Sequence, residues 1–305
     1  MKMKLLVLGG AGVTGKRVVE IALNKGMEVY ATYRHTPPPK SLRDANWLKA
    51  DVDEIDTIRK LLNELKPEAV IDMHAYNKVD DCEDVGREDC WRTNAMSPGL
   101  WARECSKKGI KYVWVSTDFV FDGENPPYAE GDVPRPLSQY AVSKLVGEQR
   151  ALLEGAIVLR TAVVYDSDPR SKFLGWVIRR LAEGKEVPAF VDQWNNPTWA
   201  KALAQVSIEA LRLEGPKLLH AVGKECMSRY EFAKAVARAM GYSENLVKPS
   251  CSCEIKQKAR RPKRNCLLTE KLKEKLGVEI PSPREVIKEI SKELKETYLS
   301  SNELS

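Results

Sequence analysis

The chain has 305 residues, 43% of them hydrophobic and 30% charged, which is too apolar for a disordered chain and long enough for one large α/β unit or two packed domains. Lys and Arg number 49 against 43 Asp and Glu, and a surplus of +6 spread over this length gives no ground for a nucleic-acid binder, whose basic residues gather in one patch or stripe. Three His and seven Cys, with no Cys-x-x-Cys pair among them, argue against a metal centre.

The first apolar run, Leu5 to Leu8, stops at Gly9. That is the length of a buried strand and too short for the core of a signal peptide. No other stretch approaches the ~20 apolar residues of a membrane helix, so a soluble, cytoplasmic chain without a membrane partner is expected. Further strands are predicted at Glu28–Thr32, Trp47–Ala50, Ala69–Met73, Tyr112–Ser116, Ala156–Arg160 and Leu218–Ala221, with amphipathic stretches such as Lys16–Asn24 and Ile55–Leu65 between them. This alternation predicts an α/β fold, a Rossmann-type doubly wound parallel sheet. From Asp166 the pattern changes. Helices are expected at Phe173–Leu181, Trp199–Leu213, Arg229–Met240 and Pro283–Leu299, separated by the polar, proline-bearing segments Val187–Thr198 and Asn245–Pro262, and Ser300–Ser305 should fray. Cys82, Cys90, Cys105, Cys226, Cys251, Cys253 and Cys266 are odd in number, and only Cys251 and Cys253 lie close together. All seven are expected to be reduced thiols without a catalytic role.

The strand Lys4–Leu8 runs into Gly9-Gly10-Ala11-Gly12-Val13-Thr14-Gly15 and then a helix. Gly9, Gly12 and Gly15 give Gly-x-x-Gly-x-x-Gly: a tight turn, a close approach for a diphosphate, and close packing of helix on sheet. Free N–H groups and the positive end of the helix dipole then face the phosphates. The spacing is the one used by short-chain dehydrogenases of the extended type. Strand two ends in Arg34, where an acid would favour NAD; an arginine can pair with a 2′-phosphate, so NADP is favoured with NAD as the alternative. Asp51 and Val52 follow the third strand and are expected near the adenine, and Met73, His74 and Ala75 along the cofactor. His74 is read as a spacer or hydrogen-bond donor ahead of an acid/base. The dinucleotide-binding part is placed at 1–165 and 198–222, and a smaller substrate part at 166–197 and 223–305.

The fifth strand ends Val115-Ser116-Thr117-Asp118, and Tyr140-Ala141-Val142-Ser143-Lys144 follows. Tyr and Lys four apart on a helix share a face. The ammonium of Lys144 should lower the Tyr140 pKa and hold the nicotinamide ribose, Tyr140 should pass a proton to a substrate oxygen, and Thr117 should orient that oxygen.

Ser116-Thr117-Asp118-Phe119-Val120-Phe121-Asp122-Gly123, with Pro134, Tyr140, Lys144, Gly147 and Glu148, resembles the dTDP-4-dehydrorhamnose reductase family. Val79-Asp80, Asn94, Arg160-Thr161, Asp192-Gln193, Pro197-Thr198 and Ala259-Arg260-Arg261-Pro262 extend the resemblance over nearly the whole chain. It implies reduction of the 4-keto group of a dTDP-linked deoxysugar by NADPH or NADH. Thr117, Tyr140 and Lys144 would be the catalytic set. Gly12, Val13, Thr14, Asp51, Val52, Met73, His74, Ala75 and Val115 would line the cofactor, and Thr117 and Asp118 would touch the sugar. The family usually carries a tryptophan against the sugar where this chain has Val163, the Met73-His74 segment is bulkier than its run of alanines, and the Gln193 stretch carries Trp194-Asn195-Asn196. Arg260-Arg261 is a candidate contact for the substrate's phosphates, with a solvated loop as the equal alternative. A nucleotide-sugar epimerase and a non-catalytic regulatory subunit, of the kind associated with methionine adenosyltransferase, are the competing functions, and a homodimer is the candidate assembly.

Overall fold

The computed structural model describes residues 2–299; the tail 300–305, expected to fray, lies outside the described residues. In chain order the strands are β1 (Lys4–Leu8), β2 (Glu28–Tyr33), β3 (Asn46–Lys49), β4 (Ala69–Asp72), β5 (Lys111–Thr117), β6 (Ile157–Thr161), β7 (Val164–Tyr165), β8 (Val187–Phe190), β9 (Trp194–Asn195), β10 (Thr198–Trp199), β11 (Lys217–His220), β12 (Met227–Ser228), β13 (Val247–Ser250) and β14 (Arg264–Asn265). The helices are α1 (Val13–Asn24), α2 (Ile55–Leu65), α3 (Arg87–Trp91), α4 (Ser97–Ser106), α5 (Gln139–Leu153), α6 (Lys172–Ala182), α7 (Ala200–Glu209), α8 (Arg229–Met240), α9 (Glu270–Leu276), α10 (Pro283–Glu289) and α11 (Ser291–Leu299).

Seven strands form one parallel sheet in the order β11-β6-β5-β4-β1-β2-β3. Each strand expected from the sequence is present to within one residue at either end. They were legible because helices cover both faces of the sheet, so its inner strands are continuous apolar runs; β4 and β6 are buried throughout. One face packs on α1, α7 and α9 through Val18, Leu203, Ala204 and Leu272. The other packs on α2, α4 and α5 through Ile58, Leu62, Trp101 and Ala151. The order reverses at β1/β4, which opens a crevice at the carboxyl ends of the strands where this architecture binds ligands.

A second core joins α6, α8, α10 and α11, around Leu174, Ile178, Phe232, Val236, Ile287 and Leu294, to the parallel pair β8/β13. Between the two cores lies a small sheet in which β9 pairs antiparallel with β12 and parallel with β14. The expected helix over 283–299 breaks at Ile290 (φ −89°, ψ 8°) into α10 and α11. The one over 199–213 gives way to a 3₁₀ turn after Glu209, and the two polar, proline-bearing segments contain β8, β9, the start of β10, and β13. Among the described residues no helix is long and apolar enough to cross a membrane.

The expectation of seven reduced thiols is overturned. Cys82–Cys90, Cys226–Cys266 and Cys251–Cys253 are disulfides, and Cys105 is free and buried. The small sheet explains the second pair. Cys226 precedes β12 and Cys266 follows β14, and both strands flank β9, so residues 40 apart in sequence meet at a Cα–Cα distance of 5.5 Å.

Candidate active site

The glycine turn leaves β1 and enters α1 through Gly12, which caps the helix without a side-chain hydrogen bond. Gly9 adopts φ +66°, and its N–H donates to Thr32 Oγ1 at 3.1 Å. A Cβ on Gly15 would stand 2.1 Å from the Gly9 carbonyl oxygen, so only glycine lets α1 close onto the turn. The result is a cradle whose first helical N–H groups face a cavity of 690 Å³. Gly9, Gly12, Val13, Thr14, Gly15, Arg34, Met73, His74, Ala75, Val115, Tyr140 and Lys144, which the sequence assigns to the cofactor, line this cavity, as do Thr117 and Val163. An uncapped helix end behind a glycine turn fits a dinucleotide diphosphate.

Asp51 and Val52 do not line it. Asp51 Oδ2 pairs with Arg34 Nη2 at 3.1 Å and with Arg92 Nη1 at 3.7 Å. Val52 is buried, and its carbonyl accepts from Trp101 Nε1 at 2.8 Å. Asp51 therefore acts on the cavity through Arg34.

The N-cap of α5 is Ser138, whose hydroxyl accepts from the Ala141 N–H. Tyr140 follows in the first turn and lines the cavity together with Thr117. Its ring meets Phe119 edge-on at 6.1 Å. Burial pushes the Tyr140 pKa up to about 12, with the nearby Thr117 hydroxyl opposing. The depression expected from Lys144 is therefore not found. Lys144 is itself buried, donates to the Val115 carbonyl at 2.6 Å and sits over the Trp114 ring at 3.9 Å. Burial brings it down to about 7, against the charges of Asp72 and Glu148.

Beneath these lies an acidic floor. Asp72 is fully buried at the end of β4 and accepts from Tyr112 Oη at 2.6 Å and from the His74 N–H at 2.9 Å. His74 Nε2 lies 3.5 Å from Asp53 Oδ1, and Thr93 donates to Asp53 Oδ2 at 2.7 Å. Burial works against a charged His74, but the neighbouring carboxylates of Asp53 and Asp72 outweigh it and raise its pKa. His74 is thus held by two carboxylates at the edge of the cavity. Asn94, in a π turn between α3 and α4, fixes the next stretch of loop by bonding both Tyr76 N–H and Tyr76 carbonyl at 3.0 Å.

A second cavity of 340 Å³ adjoins the first, walled by Phe119, Phe173, Trp176, Phe190 and Trp194. Asp118 lines it, and burial raises its carboxyl to about 7 against the Thr117 hydrogen bond and the Arg229 charge. Arg260 is exposed and lines neither cavity. Its neighbour Arg261 lines both, held by two 2.9 Å bonds to Asp80. Arg229 and Asn195 also line both cavities, and Asn265 lines the second. Sequence reasoning singled out Asn195 only as part of the departure in the Gln193 stretch of the sugar pocket, and assigned Arg229 and Asn265 no role. No local motif marks them, and the elements that assemble them are far apart in the chain.

Residues 3–296 match the family described as the RmlD substrate binding domain. The chain is 31% identical over 287 residues to a probable low-salt glycan biosynthesis reductase of Haloferax volcanii, covering 92% of this chain and 94% of that one. It is 31% identical over 268 residues to the dTDP-4-dehydrorhamnose reductase of Mycobacterium tuberculosis, covering 85% and 82%. The crystal structure of dTDP-4-dehydrorhamnose reductase from Bacillus anthracis in complex with NADP superposes with a TM-score of 0.84 at 25% identity, covering 95% of this chain and 98% of that one.

Proposed function

The chain belongs to the dTDP-4-dehydrorhamnose reductase family, and from that premise we propose that it reduces the 4-keto group of a dTDP-linked deoxysugar with NADPH, giving a product of the dTDP-L-rhamnose kind. The observation that carries the reading is that Thr117, Tyr140 and Lys144, the last one turn beyond Tyr140 on α5, share the wall of the cavity that holds the glycine cradle.

The bound dinucleotide supplies the hydride that adds to the sugar carbonyl. Tyr140 stays protonated far above neutral pH and donates that proton to the carbonyl oxygen as charge develops there. Thr117 holds the same oxygen by a hydrogen bond, a donor placed before the charge appears. Lys144 would hold the nicotinamide ribose, the first-turn N–H groups of α1 the diphosphate, and Arg34 the 2′-phosphate. Asp118 and Val163 would meet the sugar, and Arg261, in place of the exposed Arg260, would face its phosphates. In this reading 1–165 and 198–222 serve the cofactor and 166–197 and 223–305 the substrate, with α9 lending Leu272 to the sheet core. We infer a cytoplasmic setting and a homodimer, and light scattering of the purified protein is the test of the latter.

The test is NADPH oxidation with a dTDP-4-keto-6-deoxyhexose. Turnover is expected, and Tyr140→Phe should lower kcat about 100-fold or more while NADPH binding persists. Wild-type protein that binds NADPH yet turns over no nucleotide keto-sugar would overturn the reading in favour of a regulatory subunit.

A further inference from the structure

Three oxygens without a hydrogen-bond partner belong to side chains that line the second cavity, one of which also lines the first. They are Asp118 Oδ2, Asn195 Oδ1 and Asn265 Oδ1, on side chains 2%, 6% and 1% exposed. The fold brings them together. Asn195 and Asn265 are register partners in the parallel pair β9/β14, so their side chains stand on one face of adjacent strands that lie about 4.8 Å apart. Asn265 Nδ2 donates to the Asp118 backbone carbonyl at 2.8 Å, which ties Asp118 to β14, and all three residues line the second cavity. Buried polar atoms in folded proteins are almost always paired, so three orphans on side chains lining one cavity ask for a ligand that brings donors.

The cations beside them say what else the ligand carries. Arg229 follows β12, on the other side of β9, and lines both cavities. Its guanidinium lies 4.7 Å from the Phe173 ring and faces Asp118, so it presents a cation to the same cavity. A group that offers several O–H donors next to an anion is a hydroxylated sugar on a diphosphate. An apolar group would leave the three oxygens unpaired.

We propose that Asn195 and Asn265, with Asp118, are the specificity-determining residues that read the free ring hydroxyls of the substrate sugar, so that the enzyme takes nucleotide-linked 4-keto sugars that keep their 2- and 3-hydroxyls and rejects those that lack one. This rests on the reductase reading above. The discrimination comes from pairing: a sugar that lacks a hydroxyl leaves one buried oxygen without a donor when it displaces water from the cavity.

The experiment compares kcat/KM for a dTDP-4-keto-6-deoxyhexose and its 2-deoxy counterpart, with NADPH, in wild type, Asn195→Ala and Asn265→Ala. Wild type should favour the hydroxylated sugar by about 10- to 100-fold. Each variant should bring that ratio down several-fold, mainly through loss on the hydroxylated substrate, while the Kd for NADPH stays within twofold. Asn265 also bonds the Asp118 backbone, so Asn265→Ser serves as the second variant if Asn265→Ala does not fold. A wild-type ratio below threefold, or a ratio that survives both substitutions, overturns the proposal. Absence of turnover on both sugars by NADPH-binding wild type overturns the reductase reading instead, so the two failures are distinct.

Discussion

Glu148 on α5 and Arg160 on β6 form an ion pair with both side chains at 1% exposure or less. Two bonds join them, Nη2 to Oε1 at 2.6 Å and Nε to Oε2 at 3.0 Å, and the guanidinium lies 5.0 Å from the Phe121 ring. The pair ties the helix that carries Tyr140 and Lys144 to the sheet. Glu148→Gln keeps the shape and leaves the Arg160 charge buried without its counter-charge. Removing one partner of such a pair costs about 3–5 kcal/mol, because the desolvation of the other is no longer offset. In a chain of this size that lowers Tm by about 5–10 °C. Urea unfolding followed by circular dichroism gives the free energy, and a thermal scan gives the Tm. Glu148→Leu combined with Arg160→Met should recover most of the loss, since an apolar pair of similar volume has no desolvation to offset. A Glu148→Gln protein within about 1 kcal/mol of wild type would falsify the claim that the pair is desolvated, and so would a double variant as unstable as the single one.

Arg34→Ala should raise KM for NADPH about tenfold or more and leave that for NADH nearly unchanged, because the contact removed belongs to the 2′-phosphate alone; equal losses for both cofactors would refute the assignment. His220 is fully buried, and burial, with the Arg160 charge second, brings its pKa down to about 3. The folded state thus stays neutral while the unfolded chain takes up a proton below about pH 6.5. Stability is whole above that pH and falls as pH drops toward 3, by at most about 5 kcal/mol. His220→Gln should flatten this limb of a stability-versus-pH curve, and an unchanged limb would show that other groups set it. The Cys226–Cys266 disulfide closes a 40-residue loop, for which the chain-entropy account gives about 4 kcal/mol. Cys226→Ser should therefore shift the urea midpoint down, and added reductant should lower wild type by more than it lowers the variant, which keeps the Cys82–Cys90 and Cys251–Cys253 links.

The parts of the molecule written in local chemistry were readable in advance. The sheet strands announce themselves as apolar runs, and the turn from Gly9 to Gly15 and the Tyr140/Lys144 spacing carry their mechanics within a few residues. Two-residue strands such as β9, β12 and β14 have too few positions for any periodicity, and they were missed. They form because the segments at 194, 227 and 264 meet in space, and with them went the role of Arg229, the Asn195/Asn265 row and the Cys226–Cys266 link. The pKa of Tyr140 was misjudged for a related reason. Four residues along a helix bring Lys144 close, but they do not show that burial dominates Tyr140 and that the lysine spends its donor on Val115.

The edge order of the main sheet has a consequence in time. β11 pairs only with β6, yet the chain reaches it after leaving the sheet through β7, α6 and β8 to β10 and returning along α7. During synthesis the far edge of β6, whose Ile157, Val158 and Leu159 end up at most 3% exposed, has no strand to pair with until some fifty residues more have emerged. At about 5–20 residues per second that is several seconds. Over that interval the nascent chain shows an open, apolar strand edge of the kind that recruits other strands. The late return of β11 therefore sets the moment at which the growing chain stops being a hazard to its neighbours.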